Sequence, residues 1–134
     1  ASGPGPLGYG ASPEGTGTTT DPAPRPLTTY LRTAVDVDDP SRYSTLVLDL
    51  VRDSGAAVYV NGVEVARSNL PEGPLTAGTF ASAAVPAAER DVPVRFEVPA
   101  SVLQPGVNTI AAELHLNYRS QPTAGFDLQL TGRP

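Results

Sequence analysis

The chain has 134 residues, 40% of them hydrophobic, and 9 Lys+Arg stand against 14 Asp+Glu for a formal net charge of -5. That length suits one domain with a single buried core. All the basic residues are scattered arginines, so no basic stripe exists to hold a nucleic-acid backbone, and the lack of cysteine excludes disulfides, thiolate catalysis and cysteine-ligated zinc.

No apolar run approaches the roughly 20 residues of a membrane helix. The sequence shows no signal-peptide pattern and starts at Ala1 rather than Met, which gives the expectation of a mature or excised segment. Residues 1–26 hold six Pro and six Gly, a composition that favours turns and extended backbone over helix or central strand. This stretch is expected to be an N-terminal arm, packed on the domain where Leu7 and Tyr9 offer apolar side chains and looped from Ala11 to Pro24.

Residues 27–134 read as the domain itself. From Thr28 to Val37, Leu31, Thr33, Val35 and Val37 alternate with Tyr30, Arg32, Ala34 and Asp36, which predicts a strand with one buried face. Asp38-Asp39-Pro40-Ser41 is a turn, and Ser44 to Val51 is the next strand, with Leu46, Leu48 and Leu50 inward. The strongest local signal follows. Ala56–Val60 and Val63–Arg67 flank Asn61-Gly62, and Asn-Gly accepts the positive φ at both central positions of a two-residue type I′ hairpin. Val58, Val60, Val63 and Val65 are the expected buried bulk of that hairpin.

Ser68 to about Arg90 is broken by three prolines and two glycines; Leu75, Phe80 and Val85 are its expected anchors, or the makings of a short edge strand. Such long connections in a compact domain are usually functional or well packed. Val92–Val98, Asn108–Leu116 and Phe126–Leu130 complete the strands, with at most one helical turn before Pro105-Gly106. Short strands with turn chemistry between them and no amphipathic helix predict an all-β antiparallel jelly-roll sandwich.

Three motifs carry a resemblance: Arg52-Asp53-Ser54-Gly55 running into Val58-Tyr59-Val60-Asn61-Gly62, then Glu64-Val65-Ala66-Arg67-Ser68-Asn69-Leu70-Pro71, and Val98-Pro99-Ala100 through Leu103-Gln104-Pro105-Gly106-Val107-Asn108-Thr109-Ile110-Ala111. Together they resemble the galactose-binding-like β-jelly-roll, a family that includes sugar-binding domains of some β-glycosidases. The set is similar to accessory domains attached to secreted bacterial metallophosphoesterases and other exoenzymes. The resemblance implies a secreted bacterial protein and a non-catalytic module that positions a catalytic domain or assembles with other chains. Carbohydrate binding, or a hydrolase fragment whose catalytic domain lies elsewhere, are the alternatives. Domains of this kind start earlier, with a Trp-bearing segment and a further strand, so the resemblance also implies an open sheet edge here, available to homo-oligomerisation or a partner strand.

The polar residues expected near loops at one end, and hence the candidate ligand-binding set, are Arg52, Asp53, Asn69, His115, Asn117, Tyr118 and Arg119. His115, the sole histidine, alternates away from Leu114 and Leu116 and is expected at the surface of a strand end. Arg52, Asp53, Asn69 and Arg119 are each equally explained as turn or hairpin-end chemistry. Asp36, Asp38 and Asp39 bring three carboxylates within four residues, enough to suggest a structural calcium, although turn capping accounts for them more simply. No Gly-x-Ser-x-Gly elbow exists, and Glu97 and Glu113, the one pair of carboxylates considered for glycoside cleavage, lie on the outward phase of their strands. The chain is therefore expected to have no catalysis of its own.

Overall fold

The computed structural model describes residues 7–9, 16–17 and 26–134; the rest of the 1–26 arm lies outside the described residues. In chain order the strands are β1 (Leu7–Tyr9), β2 (Thr16–Gly17), β3 (Thr28–Val37), β4 (Thr45–Arg52), β5 (Gly55–Val60), β6 (Val63–Ser68), β7 (Val94–Pro99), β8 (Gly106–His115) and β9 (Ala124–Arg133). They form two sheets, ordered β2-β1-β9-β4-β7 and β3-β8-β5-β6. Every pairing is antiparallel except the short one between β1 and β2. The inner faces stack as a β-sandwich, because period-two alternation gives each sheet one apolar face to bury. Among the described residues helix is confined to single 3-10 turns at Pro40–Arg42, Ala87–Glu89 and Ala100–Val102.

Leu46, Leu48 and Leu50 of β4 lie opposite Val98, Phe96 and Val94 on one side and Gly132, Leu130 and Leu128 on the other. Leu48 and Leu50 are fully buried, as are Val58 and Val60 of the facing sheet. Burying each such side chain contributes about 1.5–3 kcal/mol. The hairpin turns at Asn61 and Gly62, with φ of 49° and 80°, as its sequence requires.

Four local expectations are corrected. Val63 is 53% exposed although it pairs with the buried Val60 beside the turn, and a bulge between Val58 and Tyr59 sets Ala66 rather than Val65 opposite Val58. Val92 is exposed; Pro93 has no N–H for the ladder, and the β4–β7 pairing begins at Val94. The connection from 69 to 93 contains no strand; Val85 and Ala81 are buried, whereas Phe80 points outward. Lastly, Thr33 and Val35 of β3 face inward yet are exposed, since they line an open groove between the two sheets.

One end of the sandwich is fastened by two amides. Asn108 is fully buried; its Oδ1 accepts from Gln104 N and Asn61 Nδ2, both at 2.8 Å, and its Nδ2 donates to the Gln104 and Gly106 carbonyls. Asn61 also donates to the Val102 carbonyl and accepts from Thr109 N. The hairpin turn, the 3-10 turn and the start of β8 are thereby joined. Replacing Asn108 with Ala strands several of these groups, and about 3 kcal/mol of stability should be lost. Urea unfolding measures it as a lower midpoint at unchanged slope.

Candidate functional site

His115 is sealed, not exposed: its side chain has 0% accessibility. Its strand phase does point to the outer face of the four-stranded sheet. The connection after β6 folds over that face and covers it. Nδ1 lies 2.6 Å from the Thr79 carbonyl and 3.2 Å from Thr28 Oγ1, which itself donates to the Ala77 carbonyl. A carbonyl can only accept, so Nδ1 carries a hydrogen. Nε2 lies 2.6 Å from Glu113 Oε1, and Tyr59 donates to Glu113 Oε2 at 3.0 Å. The result is a polar chain, Tyr59–Glu113–His115–Thr79, that clamps the long connection to the sheet.

The remaining candidates divide. Asn69, at φ 55°, exchanges two hydrogen bonds between its amide and the Ala83 backbone. Arg52 donates from Nε to Ser68 Oγ, while its buried Nη1 has no partner among the described residues. Arg119 stands over the Phe80 ring at 5.8 Å. Only Asp53, Asn117 and Tyr118 come together, lining a cavity of about 60 Å³ with Arg90, Gln121 and Thr123. That volume holds a few waters and is far below the several hundred Å³ of a ligand pocket.

Within it Asp53 is 6% exposed; Oδ1 accepts from Gly125 N at 2.8 Å, and Oδ2 has no hydrogen-bond partner among the described residues. Burial pushes its carboxyl above the ordinary range, with the Gly125 N–H, Thr123 and the Arg90 charge pulling the other way. Gln121, absent from the sequence-based set, is the keystone here. Its Oε1 accepts from Asn117 N and its Nε2 donates to the Thr123 carbonyl. It sits in a short polar run with no periodicity, so nothing local marks it as buried.

The acidic candidates do not assemble. Asp39 Oδ1 accepts from the backbone and hydroxyl of Ser41, and no three His, Cys, Asp or Glu side chains among the described residues converge on a metal-sized space. Glu97 on β7 and Glu113 on β8 belong to different sheets. Their outward phases put them on opposite outer faces, too far apart to flank one bond.

A much larger concavity lies elsewhere. A groove of about 940 Å³ opens between β3 of one sheet and β9 of the other, walled by Leu7, Leu31, Val35, Ile110, Leu128 and Leu130 and rimmed by Tyr30, Asp36 and Asp127. At its end the Tyr43 ring lies against Gly132, where an added Cβ would come within 2.5 Å of it. Comparison of the chain with known protein families, curated proteins and solved structures gave no match.

Two titrations follow. Burial, with the Glu113 carboxylate beside it, pushes the Tyr59 phenol up to about 12 from its ordinary 10.0. The fold favours the neutral phenol, so its stabilisation is complete below the unfolded value and is lost as pH rises through the folded one. Subtracting an absorbance titration of Tyr59→Phe from that of the parent should isolate a midpoint near 12; one near 10 would mean the Glu113 contact is not made in solution. Asp53 has the same sign: ionisation is penalised in the folded state. Asp53→Asn should therefore raise the melting temperature in mildly alkaline buffer, and the gain should vanish as pH falls below the ordinary carboxylate range.

Proposed function

We propose that this chain is a non-catalytic interaction module, a galactose-binding-like jelly-roll of a secreted bacterial protein, which assembles with other chains or positions a neighbouring catalytic domain. The carrying observation is the groove, where Leu31, Thr33 and Val35 face the sandwich interior and are left partly or wholly in solvent. A contiguous apolar trench between two sheet edges is a surface suited to polypeptide, since strand edges offer main-chain donors and acceptors while the trench takes side chains.

A sugar-binding reading has less support. Of its candidate residues His115 and Asp53 are buried, and the cavity that Asp53 lines is too small for a sugar ring. Tyr118, 46% exposed, is an aromatic platform at that end.

A glycan array with the purified chain should retain no sugar, and the hydrophobic dye ANS should brighten on the parent and not on Val35→Glu. A sugar retained by the parent and lost with Tyr118→Ala would overturn the proposal in favour of carbohydrate binding. A dye signal indifferent to Val35 would remove the groove as the contact surface.

A further inference from the structure

The turn between β5 and β6 carries a reactive pair of residues as well as a structural one. Of Asn61, Asn69, Asn108 and Asn117, only Asn61 precedes a glycine. The backbone nitrogen of the following residue is the nucleophile that attacks an asparagine side-chain carbonyl, and a glycine leaves that nitrogen unshielded by any Cβ. Leu70, Thr109 and Tyr118 shield theirs with full side chains. Gly62 is exposed, and beyond its chain neighbours no atom lies within 4 Å of where a Cβ would stand. Solvent therefore reaches this turn from outside.

The electrophile is restrained from inside. Asn61 Nδ2 donates to the Val102 carbonyl at 2.9 Å and to Asn108 Oδ1 at 2.8 Å, while Oδ1 accepts from Thr109 N at 2.9 Å. The Asn61 N–H donates to the Thr109 carbonyl at 2.8 Å, which holds the backbone to the same strand. Ring closure has to bring Cγ onto Gly62 N, and Nδ2 has to leave as ammonia. The first movement breaks the side-chain bonds together. The second is opposed by two acceptors that engage both Nδ2 hydrogens.

We propose that Asn61 is a deamidation site held shut by the Asn108 amide cluster, which reacts only when that end of the sandwich opens and cannot close once it has reacted. In the open state Gly62 N attacks Asn61 Cγ; a C–N bond forms and the Cγ–Nδ2 bond breaks. The Gly62 proton passes to the departing nitrogen, which leaves as ammonia. Water then adds to either carbonyl of the succinimide. Cleavage at Cγ gives aspartate, and cleavage at the Asn61 backbone carbonyl gives isoaspartate, with a methylene added to the main chain. Water is the sole co-reactant. Neither product fits the cluster. A carboxylate has no hydrogen for the Val102 carbonyl or Asn108 Oδ1 and sets like partial charges against them. Isoaspartate lengthens the two-residue turn that fixes the hairpin register. This inference is independent of the groove being a contact surface.

The test incubates the full chain, folded and urea-unfolded, in warm, mildly alkaline buffer. Mass spectrometry after trypsin then follows peptide 53–67, in which Asn61 is the sole amide side chain. A site that reacts only when open reacts in proportion to its open population. The folded parent should be at least about a hundredfold slower than the unfolded chain. The destabilisation expected above for Asn108→Ala corresponds to about a hundredfold more open protein, and its rate should rise by that factor. If that variant does not fold, the parent rate in urea below its unfolding midpoint takes its place and should climb with urea. Aged parent carrying aspartate, separated by its added negative charge, should unfold at lower urea than fresh chain, and Asn61→Asp should do the same. A folded parent that reacts as fast as the unfolded chain overturns the gating. So does an Asn108→Ala chain, folded by circular dichroism, that reacts no faster than the parent, or a parent rate flat in urea. An aged chain or an Asn61→Asp chain with an unchanged midpoint overturns the irreversible opening.

Discussion

The buried amide of Asn108 sits inside the sandwich with every donor and acceptor engaged, and one end of the molecule is built around it. An amide left unpaired there would cost several kcal/mol, so the Asn61 turn, the Gln104–Gly106 corner and the first residues of β8 are constrained together. With β8 held at its start, its pairing with β3 and with β5 keeps register along the whole sheet. The inner face of Val58, Val60, Ala112 and Leu114 is thereby set against Leu48 and Leu50.

The other end is held by polar contacts of a different sort. The connection after β6 has almost no regular structure, yet it is attached at many points: Asn69 to Ala83, Ala81 N to Leu116 O, Thr28 to Ala77, and the His115 ring to Thr79. Such a connection can be long without being loose, because its backbone groups find partners on the sheet it covers. Residues that look like ligand-binding groups in one dimension, His115 and Asn69 above all, are in use holding this cover. That is the physical reason the polar end offers only a cavity of about 60 Å³.

The groove flank is the converse case. Here inward-facing apolar residues of β3 and β9 line an open groove between the two sheets. Exposed apolar walls are costly to leave in water. The flank, rather than the polar end, is where the molecule has free energy to gain by contact.

The sequence by itself determined where the longer strands run and which way most of their side chains alternate. Period-two alternation is a local property, and β3 runs from Thr28 to Val37, the limits that alternation marks. Asn61-Gly62 determined the turn, because few other pairs tolerate positive φ at both positions. Facing direction, however, is not burial. Val35 faces inward and is exposed, while His115 faces outward and is sealed, and in each case the deciding element lies far away in the chain. Thr79 is 36 residues from His115, and the residues facing Val35 across the groove, Leu128 and Leu130, belong to the other sheet. Only the tertiary structure decides which inward face finds a partner and which outward face acquires a cover, because both depend on how far distant segments extend in space.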